Sequence, residues 1–97
     1  MNMQRLMQEA QKMQKDMAKK QDDLKNTEFV GNSEFLNITL MGDYQVKNIE
    51  FKVKKLDEDD MEILEDMIKI AFNDASNKIA KKNEEMMGSL GSIPGLF

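Results

Sequence analysis

From Met1 to about Asn26 the apolar residues Met3, Leu6, Ala10, Met13, Met17 and Leu24 recur at alternating three- and four-residue steps, or their sum. Such steps put side chains on one stripe of an α-helix, so the spacing predicts a long amphipathic helix. Lys20 takes the next seam position, and the stripe weakens towards the helix end. Between Thr27 and Val53 the period changes to two: Leu36, Ile38 and Leu40 alternate with Asn37 and Thr39, and Ile49, Phe51 and Val53 with Glu50 and Lys52. Each run reads as a strand with one buried face. Gly42-Asp43 between them has hairpin-turn chemistry, and Val46, out of register with Ile49, predicts a bulge. A short strand over Glu28 to Val30, ended by Gly31-Asn32-Ser33, completes a three-stranded antiparallel sheet. After Leu56, Asp57 is placed to cap a second long helix. On that helix Met61, Leu64, Ile68, Ala71, Phe72, Ala75 and Ile79 share a side that should cover the sheet. Gly88 is read as its terminator.

These elements define an α+β fold of order α-β-β-β-α, a three-stranded antiparallel sheet flanked by two long helices. It forms one domain over residues 1–88, followed by a Gly/Pro-containing tail over residues 89–97 expected to be flexible. Helices of about 25 residues are about 37 Å long and overhang so small a sheet. Overhanging stripes of Met, Leu and Ile call for a partner, and a second copy of the chain is the simplest one. A homodimer is therefore expected; the alternative is a closed monomer whose helices pack on each other.

The chain has no Cys and no His among 97 residues. That removes the thiolate, the commonest general base and the usual nucleophile-base pairs, and leaves only carboxylates for a metal. No enzymatic activity, cofactor or small-molecule substrate is expected. The acidic run Asp57-Glu58-Asp59-Asp60 lacks the ligand alternation and central Gly of an EF-hand loop, and is read as helix capping. Met1 to Ala10 has no uninterrupted apolar run, and no stretch approaches the length of a membrane span, so a cytoplasmic location is expected.

The net charge of −4 is unevenly distributed: residues 1–26 carry six basic and four acidic side chains, residues 57–97 four basic and ten acidic. On the first helix Arg5, Lys12, Lys15 and Lys19 fall within about 80° of one another, almost opposite the apolar stripe. Lys78, Lys81 and Lys82 add basic positions near the end of the second helix. A lysine-rich face is often no more than the solvated side of a surface helix. Doubled in a dimer, it could neutralise phosphates at two places on a duplex without reading base edges. The Met-rich stripe and the tail offer a second reading, a protein-interaction or scaffold module.

The order of segments resembles the YbaB/EbfC family of bacterial nucleoid-associated proteins, nearly end to end. The resemblance rests on Met1-Asn2-Met3 with Gln11-Lys12-Met13-Gln14-Lys15, the strand-turn-strand around Gly42, and Leu64-Glu65-Asp66-Met67-Ile68. Ala71-Phe72-Asn73-Asp74-Ala75 and Pro94-Gly95-Leu96-Phe97 complete it. Gly31-Asn32-Ser33-Glu34 looks like a shortened form of the family's loop after the first strand. The resemblance implies an intertwined homodimer whose helix ends project as arms and grip double-stranded DNA, acting in the nucleoid on its organisation and on gene expression. It also implies DNA contacts on the first and last helices, at Arg5, Lys12, Lys15, Lys19, Lys78, Lys81 and Lys82.

Overall fold

The computed structural model describes residues 2–91. Helix α1 (Met3–Lys25) is followed by strands β1 (Glu28–Asn32), β2 (Leu36–Met41) and β3 (Val46–Phe51). A 3-10 turn over Glu58–Asp60 then leads into helix α2 (Met61–Gly91). The sheet has the order β1-β2-β3, with both pairs antiparallel.

Both ends of α1 are written in side chains. Asn2 accepts the Gln4 amide at 3.1 Å on its Oδ1, satisfying one of the free first-turn donors. At the other end the Asn26 side-chain amide and the Thr27 hydroxyl donate to the carbonyls of Asp22 and Asp23. Ahead of α2, the Asp60 carboxylate accepts the Asp57 amide at 2.9 Å, so the acidic run does act at a helix start.

The alternation in β2 sets the core. Leu36, Ile38 and Leu40 are fully buried, and Ala71, Ala75 and Ile79 of α2 close over them, with Phe29, Phe35, Leu64 and Met67 at the margin. Alanines at the contact let the helix lie low on the sheet. Gly31 makes the closest approach, since a Cβ there would lie 1.8 Å from the Ala71 oxygen and 2.6 Å from the Ala75 nitrogen.

Gly31 and Asn32 therefore belong to β1, pairing with Ile38 and Asn37, instead of ending the strand as the turn-like Gly31-Asn32-Ser33 implies. Helix packing selects the glycine, not a turn. Likewise α2 runs through Gly88 to Gly91, and Val53 falls beyond the end of β3. Ser92 to Phe97 of the expected tail lie outside the described residues. The bulge falls where the pairing shifts from Thr39↔Asn48 to Leu40↔Val46.

One face of the sheet is only partly covered. α2 packs on β1 and β2, whereas Val46, Ile49 and Phe51 are 51%, 47% and 52% exposed. Their register partners Leu40, Ile38 and Leu36 are buried, so these three side chains share the covered face and extend it into solvent. Met61, Ile68 and Phe72, expected over the sheet, are also exposed. At 100° per residue Ile68 and Phe72 lie on the flank opposite Asp74, which faces the outer edge of β1. They border an apolar trough above β3. α1 projects away from the sheet, giving the molecule extents of 71 × 22 × 13 Å and leaving Met3, Leu6, Met7 and Met13 exposed.

Candidate nucleic-acid interface

The basic ridge of α1 follows from helix geometry alone. Arg5, Lys12, Lys15 and Lys19 are all exposed, on the side away from the half-buried Met17 and Leu24. Arg5 Nε lies 3.8 Å from Glu9 Oε1 with both side chains in water, a contact worth a few tenths of a kcal/mol. Lys12, Lys15 and Lys19 form no ion pair among the described residues, so their ammonium groups face solvent and are open to an anionic partner.

The three candidate lysines of α2, Lys78, Lys81 and Lys82, separate. Lys78 donates to the Val30 carbonyl at 2.6 Å and lies 3.5 Å from the Asp74 carboxylate, which accepts the Asn32 amide at 3.0 Å. Two backbone groups on the outer edge of β1 are thus satisfied by a helix side-chain pair, which blocks that edge to further strand pairing. The Asn32 amide, and then the Lys78 charge, hold the Asp74 carboxyl below its ordinary pKa. All three lysines are exposed, but only Lys78 is engaged in the fold by these contacts.

Where α1 returns to the sheet, it and the overhanging part of α2 flank a cleft of about 340 Å³. Lys20, Asp23, Leu24 and Thr27 line one wall, and Lys82, Glu85 and Met86 the other. Lys20, which interrupts the apolar stripe, stands across this cleft from Lys82. At 100° per residue it falls between the stripe and the ridge, so the cleft opens beside the ridge. The cue to Lys20 was that interruption, but sequence spacing cannot show which residue of α2 it meets.

The turn between β2 and β3 holds a second unforeseen feature. Tyr44, 46% exposed, has φ 68°, a left-handed conformation that favours glycine. Gly42, two residues earlier, serves packing: a Cβ there would lie 1.8 Å from the Leu24 oxygen.

The model of the YbaB/EbfC DNA-binding family matches residues 1–93. A nucleoid-associated protein of Ligilactobacillus salivarius is 40% identical, over 99% of this chain and 95% of its own. The nucleoid-associated protein SUB1611 of Streptococcus uberis is 43% identical over 97% and 98%. One from Ruminiclostridium cellulolyticum is 44% identical over 99% and 89%. With this match spanning the two helices and the whole sheet, the chain belongs to the YbaB/EbfC DNA-binding family.

Proposed function

We propose that this chain is a non-enzymatic nucleoid-associated protein that binds double-stranded DNA as a homodimer, through phosphate and shape contacts, and so affects nucleoid organisation and gene expression. The observation that carries the reading is the row of unpaired, exposed Lys12, Lys15 and Lys19 on a helix projecting from the sheet. Point charges on flexible stems suit phosphate oxygens and discriminate little between bases. Arg5 extends the row, and Lys81 and Lys82 add contacts on the second arm. Lys78 contributes charge from the root of that arm while holding β1.

The homodimer is supported by the trough of Val46, Ile49 and Phe51 bordered by Ile68 and Phe72. Each of these side chains is about half exposed, and fully burying one gains on the order of 1 kcal/mol. A two-fold partner can cover both troughs with the same surface. A dimer also presents two ridges, multiplying weak phosphate contacts through effective concentration.

The test is fluorescence anisotropy of a labelled long duplex at two salt concentrations, with the protein's mass set by light scattering. Binding should weaken steeply as salt rises, because each phosphate neutralised releases counterions. No binding at low salt by a folded dimer would overturn the DNA reading. Salt-indifferent binding would overturn the phosphate mechanism, and a monomeric mass the dimer.

A further inference from the structure

We propose that Tyr44 is a DNA-contacting residue, whose ring packs into the minor groove of a duplex held by the α1 arm; this rests on the DNA reading above. The first observation is conformational. The turn is closed by the Tyr44 amide donating to the Met41 carbonyl and the Met41 amide to the Gln45 carbonyl, both at 2.8 Å. A three-residue loop closed this way places its last residue in the left-handed region, where glycine or asparagine carries no penalty from a bulky side chain. Here that position holds Tyr44 at φ 68°, while Gly42 stands first in the loop. An aromatic residue in that region is strained, and such strain concentrates at functional positions.

The second observation is placement. Gly42 donates its amide to the Thr27 carbonyl at 3.1 Å and lies against the Leu24 carbonyl, fixing the turn to the C-terminal end of α1. Tyr44 therefore stands at the root of the arm that carries the lysine ridge. The carboxylate of Asp43 is turned back onto the Gln45 amide at 3.2 Å. The ring is about half exposed on a rigid mount, with no hydrogen bond to its hydroxyl among the described residues. An amphipathic ring held at the root of the basic arm suits the groove of a duplex, where side-chain wedges and packing against sugars add shape contacts to phosphate binding.

The chain has a single Tyr and no Trp, so the ring can be observed alone. Protein labelled with meta-fluorotyrosine gives one fluorine NMR signal, to be followed while unlabelled duplex is added to the dimer. Anisotropy of labelled duplex measures affinity in parallel. The signal should shift or broaden, saturating with the anisotropy curve. Tyr44→Gly, which relieves the strain and deletes the ring, should weaken binding by about fivefold or more while the melting temperature holds or rises. Tyr44→Phe should keep the wild-type affinity. An unmoved signal during confirmed binding would overturn the proposal, as would a Tyr44→Gly protein that binds normally, or one that melts earlier or loses its dimeric mass. Absence of any wild-type binding would instead overturn the DNA reading, and this inference with it.

Discussion

The backbones of Gly31 and Ala71 are in contact: a Cβ on the glycine would lie 1.8 Å from the alanine's carbonyl oxygen. The obstacle is helix backbone, which cannot rotate aside as a side chain can. Gly31→Ala must lift α2 off β1 and loosen Ala71, Ala75 and Ile79 from Leu36 and Ile38. We expect a loss of about 3 kcal/mol, measured by urea unfolding at fixed protein concentration. An unchanged midpoint would show that the helix has room to move.

Acid should weaken the attachment of α2 to the edge of β1. The Asn32 amide, followed by the Lys78 charge, lowers the Asp74 pKa in the folded state. A lowered folded value means that the ionised carboxylate stabilises the fold. Its full contribution is present above the ordinary value of 3.8 and is lost as pH falls through the lowered folded value. Asp74→Asn should therefore be less stable than wild type at neutral pH, and the gap should close as the solution is acidified below that range. A gap constant with pH would rule out this role. Lys78→Ala should cost at most about 1 kcal/mol, since the Val30 carbonyl can turn to water.

The legible part of this fold is the part decided locally. Leu36, Ile38 and Leu40 alternate because one face of β2 is buried, and Ala71, Ala75 and Ile79 share a side because α2 covers that face. Gly31 was misleading because Gly-Asn-Ser has turn chemistry, while the demand on it comes from a helix some forty residues later. Gly88 is tolerated within α2 although glycine weakens helices. At the candidate site, the α1 ridge follows from helical periodicity. The engagement of Lys78 with Val30, the cleft that Lys20 and Lys82 both line, and the strain at Tyr44 depend on contacts across the chain, which no local pattern encodes.

The proposed self-association should be separable from folding at Phe51. Its ring is 52% exposed while its register partner Leu36 is fully buried, so a charge at Phe51 can still reach water in a single chain. Buried beneath a partner, the same charge would be unpaired. Phe51→Asp should weaken the dimer by about 2 kcal/mol or more while helix content is retained. Sedimentation equilibrium with circular dichroism checks both. Leu36→Asp should instead unfold the chain. If Phe51→Asp stays dimeric, the trough is not the interface.

Charge reversal on α1 is the most direct probe of the ridge, because Lys12 and Lys15 are exposed and unpaired in the folded chain. Changing both to Glu removes two possible phosphate partners per protomer and adds repulsion, but touches no packed side chain. Helix content should stay at the wild-type level. DNA affinity should fall, and the slope of log affinity against log salt should flatten by about 0.9 for each phosphate no longer neutralised. Lys55→Glu with Lys69→Glu, two exposed changes off α1 that alter net charge by the same amount, serves as the control for net charge. Equal losses of affinity from both variants would mean that overall charge governs binding. A loss confined to Lys12→Glu with Lys15→Glu would place the DNA along α1, since the control alters charge without altering the ridge.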